Sequence, residues 1–227
     1  MSRTKTRSEQ LFEDYCFARR YPFKAIPVLE GQGQFPDYEI ETPKGVVICE
    51  VKQINPNLQD KEVEKNLNDH GEADYSRPIG KRARSSLVKA AKQLKRFDGD
   101  PRPCVVVLFD STRGGYLDST DLEAAMFGKP IVLFREGKQH PLDSRSDFTH
   151  GGDRKLREDR CLYIGAVAVL HPFKQDKASR LDIYHNPFTS KPVWPACFPH
   201  TDDKHFVKDD HPDRCGHGWC EYVGLQR

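Results

Sequence analysis

An α/β fold with a mixed sheet flanked by helices is what this 227-residue sequence predicts, on three observations. Two runs rich in β-formers, 35–40 and 46–52, flank the polar break Glu41-Thr42-Pro43-Lys44-Gly45, the pattern of a strand hairpin. From Gly80 to Phe97, Ala83, Leu87, Ala90, Ala91, Leu94 and Phe97 form one helical stripe, with Lys and Arg filling the other faces. Cys104-Val105-Val106-Val107-Leu108-Phe109 is then continuously apolar, as suits a strand in the middle of a covered sheet.

Taken in order, Thr6-Arg7-Ser8-Glu9 reads as a capping box that opens a first helix. Leu11, Phe12, Tyr15, Cys16 and Ala18 recur at helical spacing to about Arg20. A first strand is predicted over 23–29, with Gly31-Gln32-Gly33 as the turn into the hairpin. Residues 55–76 are polar and without periodicity, so a mobile insert is predicted near 55–78. After the basic helix and the apolar strand come a loop at 111–115, a helix at 119–127 stopped by Gly128-Lys129-Pro130, and a strand at 130–134. A polar excursion over 135–160 leads to a strand at 162–170, and His185-Asn186-Pro187 reads as a turn. These later pieces are expected to widen the same sheet. Residues 1–113 form the core, and 114–227 an elaborated extension of the same domain, with a candidate Cys/His element at 197–227. Asp182, Asp202, Asp203 and Asp209 are read as surface acids, and Trp194 and Trp219 as core residues.

Hydrophobic residues are 37% and charged ones 31%, which places the chain among polar globular proteins and not among disordered ones. No apolar run approaches the ~20 residues of a membrane helix. The N-terminus lacks the apolar segment of a secretory signal, and seven widely spread cysteines do not form a disulfide framework, so a cytoplasmic location is expected. The net charge of +2 hides an asymmetry: 77–113 holds ten Lys/Arg against three acids, an excess of +7. Such a stretch suits a polyphosphate partner, although a solvated helix face has the same composition.

The chemistry concentrates in the hairpin. Along its second strand Val46, Ile48, Glu50 and Lys52 share one face. Ending a buried apolar row with a carboxylate and an ammonium is costly unless the charges have partners. If Asp37, thirteen residues before Glu50, lies beside them, two hard oxygen ligands and one cation converge on a point that suits a divalent metal and a phosphate. The alternative is a surface hairpin with solvated charges.

Pro36-Asp37 followed by Glu50-Val51-Lys52 resembles the PD-(D/E)XK nuclease superfamily, and about the first 110 residues fit its α-β-β-β-α-β order. The resemblance implies a restriction-endonuclease-like sheet and Mg²⁺- or Mn²⁺-dependent hydrolysis of phosphodiester bonds, more often in DNA than in RNA. It implies metal ligation by Asp37, Glu50 and the Val51 carbonyl, with Lys52 at the phosphate or the attacking water. An acidic residue of the first helix often completes such a site, which nominates Glu13 and then Glu9. Gln93-Leu94-Lys95-Arg96-Phe97 is similar to the Gln-x-x-x-Tyr element of the RecB-type branch, with Phe in place of Tyr, and makes Gln93 a further candidate. Lys81, Arg82, Arg84, Lys89 and Lys92 are candidates for contacts with the nucleic-acid backbone. The insert near 55–78 directly follows the catalytic strand and is placed to close over bound nucleic acid. A homodimer is compatible with this reading, since two sites are able to cut both strands.

Other classes lack their signatures. No Gly-x-Ser-x-Gly, P-loop or His-Glu-x-x-His pattern is present. In the tail, His211, Cys215, His217 and Cys220 supply four nitrogen and sulfur donors in ten residues, a set that structural Zn²⁺ takes. Their spacing follows no paired zinc knuckle, and a loosely ordered tail competes with the zinc reading. The competing function is a catalytically silent nucleic-acid-binding or scaffolding protein with a nuclease-like fold.

Overall fold

The computed structural model describes residues 4–27, 35–74, 76, 78–112, 117–132, 148–151, 154–172, 179–209 and 218–223. Helix α1 (Arg7–Ala18) starts at the predicted capping box. The Thr6 hydroxyl accepts from the Glu9 N–H, and the Glu9 carboxylate accepts from the Thr6 N–H at 2.6 Å. Strands β1 (Phe23–Ala25), β2 (Tyr38–Thr42) and β3 (Gly45–Ile54) form an antiparallel meander with the Pro43–Lys44 break at its tight turn. Of the predicted first strand, residues 28–29 lie outside the described residues, as does the Gly31–Gly33 turn.

The polar stretch after β3 is not a structureless insert: it contains helix α2 (Leu58–His70). Asn57 accepts from the Asp60 N–H and the Asp60 carboxylate accepts from the Asn57 N–H, at 2.9 and 2.7 Å. Gly71 ends the helix in the left-handed region, φ 78°. Only Asp60 and Val63 are buried, so there was no apolar stripe for periodicity to detect.

Helix α3 (Lys81–Leu94) continues into a single 3₁₀ turn, Lys95–Phe97, and leads to β4 (Cys104–Asp110), parallel to β3. Then come α4 (Ser119–Phe127), β5 (Pro130–Val132), β6 (Phe148–His150), β7 (Ile164–His171), β8 (Arg180–His185), β9 (Lys204–Asp209) and β10 (Gly218–Glu221). Eight strands form one mixed sheet in the order β1-β2-β3-β4-β7-β8-β9-β10. Strand β5 does not widen it, contrary to expectation. It pairs with β6 in a separate two-stranded sheet, while β7 docks directly against β4.

Alternation along β3 and β4 divides the interior into two layers. Val47, Cys49, Val51, Val105 and Val107 pack beneath Phe12, Tyr15 and Cys16 of α1. Ile48, Val106 and Leu108 pack beneath Ala83, Leu87, Ala90 and Leu94 of α3 and Leu122 and Met126 of α4. This double cover explains the unbroken apolar run of β4.

Two of the expected surface acids are buried. Asp203, 8% exposed, accepts from the Tyr15 hydroxyl at 2.7 Å and the Leu181 N–H at 2.8 Å, which joins α1 to β8. Asp182, also 8% exposed, lies 2.8 Å from the His171 ring across the β7–β8 pair. Asp202 remains exposed, and the Asp209 side chain is outside the described set. Trp194 is 62% exposed, whereas Trp219 packs against Phe127 and Tyr184.

The α3–α4 contact depends on Gly80. Its φ is +68°, and a Cβ there would lie 2.7 Å from the Ala124 Cβ and 2.9 Å from the Asp121 carbonyl oxygen. Its N–H donates to Asp121 Oδ1 at 2.7 Å. Gly80→Ala therefore combines backbone strain with overpacking and is expected to cost about 2–4 kcal/mol of stability, read as a lower urea midpoint with unchanged slope.

Candidate active site

The site forms where β2 and β3 part. Strand pairing runs from Thr42↔Gly45 to Tyr38↔Cys49, and β3 continues five residues beyond the last pair. Pro36, just upstream, has no N–H with which to extend the ladder. The Asp37 N–H still donates to the Cys49 carbonyl at 3.1 Å, and the Asp37 Oδ2 then accepts the Val51 N–H at 2.9 Å. A side chain thus replaces the next backbone acceptor. By strand alternation the Val51 carbonyl faces the same opened edge as its N–H.

Glu50 is 0% exposed and lies on the α3 side of the sheet, as its neighbour Ile48 does. Asp37 is on that side too, because Tyr38 and Ile40 point to the α1 layer. Lys52, two residues on, donates to Glu50 Oε1. Glu50 Oε2 is buried with no hydrogen-bond partner. Burial first, and then the charge of the adjoining Asp37, push the Glu50 carboxyl up to about 8; the Lys52 ammonium acts against this. Two carboxylates and one ammonium leave this buried cluster one positive charge short when all are ionised. The orphaned Oε2 and the hard oxygen donors fit a divalent cation. Among the described residues, no group of three or more His, Cys, Asp or Glu side chains is arranged to hold a metal.

The acids of α1 do not join this cluster. Glu9 serves the helix cap, and Glu13 accepts from Tyr38 Oη at 2.8 Å and from Lys5 Nζ at 2.7 Å. Both belong to the α1 layer, on the opposite face of the sheet from Glu50. Burial and the hydrogen bond to Glu13 hold the Tyr38 phenol well above its ordinary range, so it stays a donor and clamps β2 to α1.

On the α3 side, Gln93 donates through Nε2 to the Phe35 carbonyl at 3.0 Å. It fixes the backbone just before Asp37 and is not itself bonded to either carboxylate. Arg82 bonds Asp60 Oδ2 at 2.7 Å and the Asn55 carbonyl, which ties α2 to α3. Arg84 donates to the Ala124 carbonyl at 2.8 Å. Both arginines thus serve as ties within the fold. Lys81, Lys89 and Lys92 are exposed and form no ion pair with a described residue. Sequence reasoning missed the Arg96 guanidinium, whose carbon lies 4.0 Å from the centre of the Phe35 ring two residues before Asp37. Its signal was the seven-residue spacing of Arg82, Lys89 and Arg96, which sets them on one helix flank.

Of the tail donors only Cys220 is described, on β10; His211, Cys215 and His217 lie outside the described residues. Two cavities lie away from the carboxylates. One of about 700 Å³ is bordered by Phe127, Arg154 and Phe188, the other of about 510 Å³ by Arg19, Tyr21 and His200. No described helix is long and apolar enough to cross a membrane. No family model, curated protein or solved structure matches the chain.

The raised Glu50 pKa has a consequence for stability. Its folded value of about 8 exceeds the ordinary 4.5, so the group's contribution is complete below pH 4.5 and is lost as pH rises through 8. Glu50→Gln should therefore gain stability relative to wild type as pH rises from 5 to 9. In EDTA at pH 8.5 the variant is expected to melt about 5 °C above wild type, measured by calorimetry.

Proposed function

We propose that the chain is a divalent-metal-dependent nuclease that hydrolyses phosphodiester bonds, with DNA the favoured substrate. The observation that carries this reading is the convergence of Asp37, Glu50 and Lys52 on one face of the opened β2–β3 edge, with a buried carboxylate oxygen left without a donor. Asp37, Glu50 and the Val51 carbonyl would hold Mg²⁺ or Mn²⁺. When bound, such an ion lowers the pKa of a coordinated water and neutralises charge on the scissile phosphate.

The chain's own groups supply the rest. Asp37 is positioned by the Val51 N–H, which donates to its Oδ2 at 2.9 Å. Lys52 is anchored through Glu50 and extends the row toward solvent, with 22% of its side chain exposed. An ammonium in that position stabilises negative charge as it accumulates on a phosphate in the transition state. Gln93 keeps the segment before Asp37 in register against α3. The exposed Lys89 and Lys92 add sequence-independent attraction for a polyanion.

Purified protein incubated with plasmid, linear duplex, single-stranded DNA and RNA should cleave in Mg²⁺ or Mn²⁺ and not in EDTA. Asp37→Asn, Glu50→Gln and Lys52→Met should each lower the cleavage rate at least ~100-fold while leaving the far-UV spectrum unchanged. Wild-type activity in all three variants would end the mechanism. Binding without cleavage in every metal would replace it with the silent binder.

A further inference from the structure

We infer that Arg96 and Phe35 form a base-stacking platform beside the carboxylates, and that the chain prefers a polynucleotide with an unpaired base at that point: a single strand or a frayed end. This inference rests on the nuclease reading and narrows its substrate. Three observations carry it. The Arg96 guanidinium carbon lies 4.0 Å from the centre of the Phe35 ring, and Arg96 itself is exposed. Phe35 is fixed in turn, because its carbonyl accepts from Gln93 at 3.0 Å and its neighbour Pro36 is buried. The platform therefore sits two residues from Asp37 on a braced segment. Third, the stretch from Lys81 to Phe97 contains no acid, and its exposed Lys81, Lys89, Lys92 and Arg96 fall on one side of the helix axis. A backbone tracking that row arrives at Arg96, over the residue two positions before Asp37.

The chemistry distinguishes strand types. Guanidinium planes and aromatic rings stack on the faces of bases, which a duplex hides and a single strand presents. A lysine at the same place keeps the charge and loses the plane. Arg96→Lys therefore separates stacking from simple attraction, and its exposed position leaves folding intact.

The test measures binding in EDTA, so that cleavage plays no part. Wild type should bind a 2-aminopurine-labelled single-stranded oligonucleotide at least ~5-fold more tightly than the blunt duplex of the same length, and should quench the label on binding. Arg96→Lys should weaken single-strand binding ~5- to 10-fold and abolish the quench, with duplex affinity unchanged. Phe35→Leu should behave likewise. Lys92→Glu should weaken both ligands equally, as a backbone contact does. An Arg96→Lys variant with unchanged quench and affinity, an equal loss for both ligands, or wild-type preference for duplex would each overturn the platform. Loss of cleavage competence with the quench intact would instead remove the nuclease reading and leave the platform standing.

Discussion

The constraint on which the rest depends is the burial of Glu50. A carboxylate with no solvent exposure needs compensation, and the fold gives it one ammonium, from Lys52, and one adjoining acid, Asp37. The arrangement follows from strand lengths. Because β2 stops at Tyr38 while β3 runs on to Ile54, the Val51 N–H turns to a side-chain acceptor and draws Asp37 toward Glu50. A longer β2 would satisfy that N–H with backbone and leave the aspartate elsewhere. Covering α3 then removes the water that would have screened the two negative charges from each other.

Such a cluster is unfavourable for folding. Residues selected for folding alone would place an apolar side chain at position 50, in line with Ile48 and the α3 layer. Local conflict of this kind, in a chain otherwise consistent from pattern to packing, marks the place where stability gives way to another requirement. The structure surrounds the conflict with strong restraints. Tyr38 is bonded to Glu13, Gln93 to Phe35 and Arg82 to Asp60, so the elements bordering the cluster are each tied to a neighbour.

Much of this was legible in the sequence because burial and periodicity agree. The hairpin, α1 with its cap, α3, β4 and β7 all carry side-chain patterns dictated by one or two covered faces. Helix α2 was not legible, since it buries little beyond Asp60 and Val63 and its cap uses Asn57 and Asp60 in place of a hydroxyl and a glutamate. Strands β8 to β10 are short and interrupted by charge. The place of the α1 acids was not legible for a related reason: helical spacing shows which residues share a flank, but not which face of the sheet the helix covers. Arg82 and Arg84 looked like any surface cations until Asp60, Asn55 and Ala124 were brought to them in space.

The sheet order also governs how the molecule is assembled. Tyr15, in the first helix to be synthesised, completes its hydrogen bond only with Asp203, and Arg19 with His200 and Asp202. During translation the amino-terminal helix therefore meets β2 and β3 first and gains these last ties only when most of the chain has left the ribosome. Contacts of such long sequence separation slow folding and expose the edge of β4 until β7 arrives. A nascent chain halted near residue 113 would carry the whole acidic motif with β4, whose far edge would lack its β7 partner.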